Sequence, residues 1–589
     1  MVVVVEVMVV VAKEGKMYQR FNPEAIELTK YLFYTGKGGV GKTSTACATA
    51  VYLADQGKRV FLISTDPASN LQDVFEMELN NKGVILPAIP NLTVANLNPE
   101  EAAAEYRESV VGPYRGKLPE SVVANMEEQL SGSCTVEIAS FNEFAHFITD
   151  DSISEKYDYI IFDTAPTGHT LRMLQLPSAW DNFIDESTHG ASCLGQLAGL
   201  GEKKEMYAHA VKTLSDGNVT SLMLVSRPEK GPLLEAARAS HELSEIGVDN
   251  QKLIINGVLE CVNQNDEISR SFYEKQQNAI DTMPEDLKKM PVYTIPLRSY
   301  NVGGLENIRR MLTDDCILEA SSFQSEIDFP TLDILIDDLY KNEKKVIFTM
   351  GKGGVGKTAI ATEIAKGLAE KGRTVHLTTT DPAGHMSIDA QSNKNIEISN
   401  IDEKEELKKY QEEVISKAIA SGISDEDLDY IKEDLRSPCT QEIAVFRAFA
   451  DVVEKAEEKI VVIDTAPTGH TLLLLNSTES YAKEMKHSNA DIPESVKKLL
   501  PRLKNQEETE VIIVAIPEAT PYYEASRLEA DLKRARIANK WWVMNASLKA
   551  AKTKDPFLKA RAEAEVKWIG KVANETEGNY VVVPFAAGK

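Results

Sequence analysis

Along this chain, short β-branched and apolar runs alternate with longer stretches of helical character, and the whole series occurs twice. In the first half the runs are Tyr31 to Thr35, Arg59 to Thr65, Tyr157 to Asp163, Ser221 to Ser226, Lys252 to Gly257 and Val292 to Leu297. In the second they are Val346 to Met350, Thr374 to Thr380, Lys459 to Asp464, Val511 to Ile516, Trp541 to Asn545 and Tyr580 to Phe585. Near-continuous apolar strands separated by helices are what a parallel sheet needs when both of its faces are covered. Six runs against six predict an α/β protein with two doubly wound domains. Asp266 to Lys289 and Ile401 to Asp434 are polar and helix-prone, and predict solvated helices.

The halves also echo each other residue by residue. YTGKGGVGKTSTA at Tyr34 to Ala46 returns as TMGKGGVGKTAIA at Thr349 to Ala361, and STDPAS at Ser64 returns as TTDPAG at Thr379. SCTVEIA at Ser133 becomes PCTQEIA at Pro438, and DTAPTGHTL beginning at Asp163 recurs beginning at Asp464. The first two offsets are 315 residues (351 minus 36, 381 minus 66) and the last two 305 and 301 (439 minus 134, 464 minus 163). Loop deletions explain the drift, and four ordered matches predict duplication and fusion. The predicted organisation is an extension over 1–22, a first P-loop domain over 23–316, a linker over 317–343 and a second P-loop domain over 344–589. The linker is read from Ser321, Ser322, Gln324 and Ser325 leading into Asp333, Asp337 and Asp338.

Composition narrows the function classes. The 589 residues are 43% hydrophobic, 26% charged and 7% aromatic, a soluble globular profile with material for large cores. Ninety acidic residues against 65 basic give a formal net charge of -25, which repels nucleic acid and anionic lipid and argues against polyanion binding as the main task. The sequence holds no stretch of about 20 apolar residues, so the chain is not expected to form a membrane pore itself. Six cysteines without a CxxC pair argue against a zinc ribbon or a disulfide scaffold and for a reduced, cytosolic setting. The Val-rich run Met1 to Ala12 lacks a basic flank and is too short to cross a bilayer, which favours a peripheral strand, or a natural start at Met17, over a targeting signal.

GKGGVGKT satisfies G-x-x-x-x-G-K-[ST], and both copies stand directly after an apolar run and before a helix-forming stretch, the context that gives the pattern its force. The glycines let backbone N–H groups curl around phosphate, and the helix start adds favourable partial charge. The predicted nucleotide cradle is Gly36, Gly38, Gly39, Val40, Gly41, Lys42, Thr43 and Ser44 in the first half, and Gly351, Gly353, Gly354, Val355, Gly356, Lys357, Thr358 and Ala359 in the second. Lys42 and Lys357 are expected on the β- and γ-phosphates of ATP, with the hydroxyls of Thr43 and Thr358 on Mg²⁺. Asp66, Asp163, Asp381 and Asp464 follow or end strands at the carboxyl edge, where ligands bind in such sheets.

Each loop carries a further lysine, Lys37 and Lys352, with no evident use on the same phosphates. This resembles the deviant Walker A motif. The resemblance implies that Lys37 reaches the second-half nucleotide and Lys352 the first, in a face-to-face dimer formed within one chain. It also implies that Asp66 and Asp381 belong to switch I, helping to place Mg²⁺ and the attacking water, and that Asp163 and Asp464 are Walker B residues. By the same resemblance Asn256 and Asn545 read adenine, although an asparagine at a strand end is equally a turn former.

From Pro23 to Phe585 the chain resembles the arsenical pump-driving ATPase family, and DTAPTGHT narrows the wider class to this group and its tail-anchored-protein-targeting relatives. The resemblance implies a cytosolic ATPase stimulated by As(III) or Sb(III), associated peripherally with the inner membrane through an arsenite efflux permease and supplied by an arsenic metallochaperone. It further implies that Cys134, Cys193 and Cys439 bind the metalloid, with His169, His470 and Ser437 as further candidate ligands. Trivalent arsenic and antimony are soft centres and thiolates are soft ligands, so the chemistry agrees. Each cysteine taken alone is also an ordinary half-buried thiol, and each histidine a possible hydrogen-bond relay in a switch loop. Cys47, Cys261 and Cys316 receive no role. The main alternative is a tail-anchored protein targeting ATPase, which would want a CxxC zinc clasp and a Met-rich groove. A partitioning ATPase and an iron–sulfur carrier fit the charge and cysteine pattern less well. One departure stands out: SYNVGGLENIRRML after the first half's last run predicts a helix, whereas the second half ends at Ala586 to Lys589.

Overall fold

The computed structural model describes residues 18–65, 71–130, 133–164, 204–313, 327–379, 394–422, 428, 431–432, 435, 438–465, 494–537 and 539–586. The chain divides into two compact units, 1–320 with 555–557, and 321–554 with 558–589.

Sixteen strands lie among the described residues: β1 (Gln19–Arg20), β2 (Tyr31–Thr35), β3 (Val60–Ser64), β4 (Val84–Leu86), β5 (Ile89–Asn96), β6 (Tyr159–Asp163), β7 (Thr220–Ser226), β8 (Gln251–Val258), β9 (Val292–Pro296), β10 (Val346–Met350), β11 (Val375–Thr379), β12 (Ile396–Asn400), β13 (Ile460–Asp464), β14 (Thr509–Ala515), β15 (Asn539–Ser547) and β16 (Tyr580–Pro584). The first unit holds a sheet in the order β1-β9-β8-β7-β2-β6-β3-β5-β4, and the second a sheet in the order β12-β11-β13-β10-β14-β15-β16. All pairings are parallel except β4 with β5. Reading β5 as β12, β3 as β11 and so on to β9 as β16, seven strands correspond in order, which is the predicted pair of doubly wound α/β sheets.

All twelve predicted runs are strands. Four further strands escaped the pattern: β1, β4 and β12 stand at sheet edges, and β5 lies between β3 and the edge strand β4. β12 is the sequence IEISN with a half-exposed profile, as expected of an edge strand. β5 is interrupted by Pro90 and Asn91, and β1 and β4 are only two and three residues long.

The central strands β2 and β10 are buried at every residue, between helices on both faces. On one face of the first sheet, the rings of Phe33 and Phe162 stack with centroids 4.6 Å apart while Phe144 meets Phe162 edge-on at 5.2 Å. On the other lies the helix Lys42–Asp55, which follows the first glycine loop. That helix is covered by Leu305–Thr313, the helix expected after the last strand, through buried Ile308 and Met311. In the second unit the helix Lys357–Glu370 is covered from the opposite direction of the chain, by Leu332–Lys341, which precedes β10. Leu335, Ile336 and Leu339 form its buried stripe, and Asp338 fastens it by accepting from Trp541 Nε1 at 2.8 Å.

Candidate active site

The two glycine loops leave β2 and β10 and enter the helices Lys42–Asp55 and Lys357–Glu370. Gly41 and Gly356 stand immediately before those helices in the left-handed region, at φ 93° and 89°. A Cβ at Gly41 would lie 2.2 Å from Asn256 Nδ2, and one at Gly356 2.2 Å from Asn545 Nδ2. A Cβ at Gly36 or Gly351 would lie 2.1 Å from the carbonyl oxygen of Val225 or Val514. Only glycine lets these loops curl so tightly against the neighbouring strand. Lys42 and Lys357 are buried, each 6% exposed, and Lys357 Nζ donates to the backbone oxygen of Lys352 at 3.1 Å.

The carboxylates come from the adjacent strand. β6 lies between β2 and β3, which pairs Asp163 with Tyr34 on one side and Ser64 on the other. Asp464 is placed likewise between Thr349 and Thr379. Thr43 Oγ1 donates to Asp163 Oδ2 at 2.8 Å, and Thr358 Oγ1 to Asp464 Oδ2 at 2.6 Å. A hydroxyl beside a buried carboxylate, at the mouth of an amide-lined cradle, is the hard-oxygen donor set that suits Mg²⁺ with a bound nucleotide. The residues therefore fit both groups.

Asn256 and Asn545 end in the same role within each unit. Their Nδ2 groups donate to the P-loop carbonyls of Val40 and Val355, each at 2.9 Å. They tie the end of β8 or β15 to the phosphate loop.

The further lysines differ between the units. Lys352 Nζ is bonded to the carboxylate of Glu524, with side-chain exposures of 18% and 11%. Lys37 forms no ion pair or hydrogen bond with its side chain among the described residues. Glu524 sits on the helix Ala519–Arg534, and its segment, PEATPYYEA from Pro517, repeats PEKGPLLEA from Pro228. The offset is 289 (524 minus 235), continuing the drift of the other four repeats. Glu229 and Glu518 precede helices of 16 residues each, with matching extended backbone angles. Sequence reasoning passed over this fifth repeat, although the alignment Pro228–Ala236 against Pro517–Ala525 carries the signal.

A second pair also went unnoticed. Gln276 Oε1 accepts from the backbone N–H of Leu259 at 2.8 Å while its Nε2 donates to Gly257 O at 2.9 Å, just after Asn256. In the second unit the corresponding support is Glu565, which accepts from Ser547 Oγ at 2.6 Å and from the N–H groups of Leu548 and Lys549 at 3.0 and 3.1 Å. Burial pushes the Glu565 carboxyl up to about 7, against the donors of Ser547, Lys549 and Leu548 and the nearby Arg561, which pull it down.

Cys134 is the second residue of the helix Ser133–Thr149 and Cys439 the second of Pro438–Glu454, each 17 residues long. The backbone thus places them at equivalent positions. Cys193, His169, His470, Ser437, Asp66 and Asp381 lie outside the described residues, as does the run Met1 to Ala12. Cys47 is fully buried within the first P-loop helix, where burial and then the Asp163 charge hold its thiol well above the usual range.

Comparison with known proteins identifies the family. The sequence model for the anion-transporting ATPases matches residues 29–314, 344–500 and 477–586. The chain is similar to an arsenical pump-driving ATPase of Escherichia coli, 45% identical over 564 residues that span 95% of this chain and 96% of that protein. It is 44% identical over 569 residues to one of Acidiphilium multivorum, with coverage of 95% and 96%. Similarity to the ATPase GET3 of Komagataella phaffii is 30% over 308 residues, 48% of this chain and 89% of that protein.

Proposed function

The chain belongs to the anion-transporting ATPase family and hydrolyses ATP, and from that premise we propose that hydrolysis is stimulated by As(III) or Sb(III) and drives metalloid efflux. Similarity over nearly the full length to arsenical pump-driving ATPases is the observation that carries this reading. The match to ATPase GET3 covers half of the chain and supports the ATPase machinery common to both groups rather than a targeting role.

In this reading each nucleotide sits on its P-loop, with Lys42 and Lys357 against the β- and γ-phosphates. Thr43 with Asp163, and Thr358 with Asp464, hold Mg²⁺, which neutralises charge on the phosphate oxygens when bound. Asp66 and Asp381 orient the attacking water. Asn256 and Asn545 each retain a second N–H and a carbonyl oxygen beyond the bond to the P-loop, and present them to adenine. Lys37 and Lys352 act on the nucleotide of the opposite half, in an intramolecular pseudo-dimer of domains 23–316 and 344–589.

The metalloid is cargo and activator. Cys134 and Cys439, at equivalent helix starts, contribute one thiolate from each half, and Cys193 a third, with His169, His470 and Ser437 completing the set. Thiolates are the ligands that select a soft centre over abundant hard cations. Binding that favours the closed arrangement of the halves makes turnover conditional on cargo. Among the described residues no helix is long and apolar enough to cross a membrane. The transport path then belongs to a membrane permease, to which this ATPase binds from the cytoplasmic side, and a thiol-bearing metallochaperone delivers the metalloid.

The test is steady-state ATP hydrolysis with and without antimonite, in the parent protein and in Cys134→Ser, Cys193→Ser and Cys439→Ser. Stimulation that is lost in the variants while basal turnover persists supports the reading. A parent enzyme indifferent to antimonite and arsenite overturns it.

A further inference from the structure

Lys352 is held within its own unit. Its ammonium is bonded to Glu524, both side chains are largely shielded, and the backbone oxygen of the same lysine receives the Nζ of Lys357. One loop thus presents two lysines with different partners: Lys357 Nζ turns back to the loop's own backbone, and Lys352 Nζ reaches the carboxylate of Glu524 on the helix Ala519–Arg534. That helix is anchored independently. Tyr522 is packed among Trp542 and Trp568, and Glu518 is paired with Arg561. The carboxylate of Glu524 is therefore presented from a fixed support.

We infer that Glu524 is a positioning residue for ATP turnover, the resting partner that restrains Lys352 until a nucleotide phosphate competes for its ammonium. A carboxylate and a phosphate are alternative anionic partners for one cation, so exchange between them is possible only when the phosphate is correctly placed. Releasing the lysine leaves the shielded carboxylate without that counter-charge, a penalty that opposes engagement in the absence of ligand. The restraint belongs to the second unit. The first carries Glu235 at the matching repeat position, yet Lys37 makes no such pair among the described residues. The sites are alike in their cradles and unlike in how their extra lysine is stored.

The consequence for turnover rests on the reading that Lys352 acts on nucleotide and that metalloid stimulates hydrolysis, whereas the storage of Lys352 does not. Two measurements separate them. The ligand-free protein is treated briefly with an amine-acylating reagent, and modification of Lys352 is read by peptide mass spectrometry, normalised to Lys37. Glu524→Gln is expected to raise Lys352 labelling about threefold or more, the scale of a surface ion pair taken as a lower bound for this shielded one. Glu524→Ala serves if the glutamine variant does not fold, and the melting profile reports the fold of either. Labelling of Lys352 that equals the parent's in a folded variant overturns the restraint, whatever the enzyme's cargo.

ATP hydrolysis is then measured with and without antimonite. Removal of the restraint is expected to raise basal kcat about threefold while leaving the stimulated kcat close to the parent's, so the stimulation ratio falls. General structural damage would lower both rates. Raised labelling with both rates lowered overturns the role in turnover. If the parent enzyme shows no stimulation, the metalloid reading fails and the labelling result still decides the restraint.

Discussion

Thr43 Oγ1 donates to Asp163 Oδ2 at 2.8 Å, and the bond recurs between Thr358 and Asp464 at 2.6 Å. Each bond joins the first turn of a helix to the end of a neighbouring strand, 120 residues apart in the first unit and 106 in the second. The bond holds the hydroxyl and the carboxylate side by side, and preorganised polar groups of this kind are what phosphoryl transfer exploits.

Asp163→Asn keeps the shape but removes the charge. We expect ATP hydrolysis at the first site in the presence of Mg²⁺ to fall about 100-fold or more, the range associated with losing one preorganised electrostatic group, so that total turnover drops to the share of the second site. Asp464→Asn should do the same to turnover at the second site. The check is kcat for each variant beside its melting profile, because a loss of rate without loss of fold separates chemistry from packing. Either variant hydrolysing ATP at both sites with the parent's rate and Mg²⁺ dependence contradicts the assignment.

The helix Leu332–Lys341 buries Leu335, Ile336 and Leu339 against the second P-loop helix. Leu335 is fully buried, so Leu335→Ala should destabilise the second unit by about 2 to 5 kcal/mol. The first unit, whose P-loop helix is covered by Leu305–Thr313, should keep its stability. Denaturant unfolding followed by unit-specific hydrogen exchange tests this. Equal loss of protection in both units would show that this segment does not serve the second core alone.

How far the fold could be read in advance follows from where the information lies. β2 and β10 are apolar at nearly every position and are followed at once by glycine, so sequence alone places their boundaries. In β12, Ile396 and Ile398 alternate with Glu397 and Ser399, but over only five residues on a half-exposed edge the alternation is too short to stand out. The phosphate loops were readable because their chemistry is local: glycines, lysine and threonine in one short run of sequence. Glu524 was not, because its partner Lys352 lies 172 residues away and a glutamate on a helix carries no mark of its partner. The same holds for the bond from Asn256 to Val40, which spans 216 residues. The cysteine positions could be matched between halves, but a ligand set drawn from distant segments is a property of the tertiary structure.

Glu565 gives the second unit a dependence on pH that its counterpart, Gln276, cannot give the first. The Glu565 carboxyl is raised from 4.5 to about 7, chiefly by burial, with Arg561 the nearby cation pulling the other way. A carboxyl that titrates higher when folded favours the protonated native state. Its contribution to stability is fully present below about pH 4.5, declines as pH rises from 4.5 through about 7, and is absent above that range. The loss is on the order of a few kcal/mol, at about 1.4 kcal/mol for each tenfold change in the proton-binding equilibrium. Glu510, also buried and raised, adds a decline of the same sign, so the parent curve alone does not isolate Glu565. The difference between the parent and Glu565→Gln does. Glutamine already accepts from the equivalent N–H of Leu259 in the first unit, so the substitution preserves that support. The variant's stability relative to the parent should increase steadily across about pH 4.5 to 7 and level off above it, as read from urea midpoints of the second unit. Parallel curves for the two proteins would mean that Glu565 is ionised throughout, and that its three donors outweigh the desolvation of its charge.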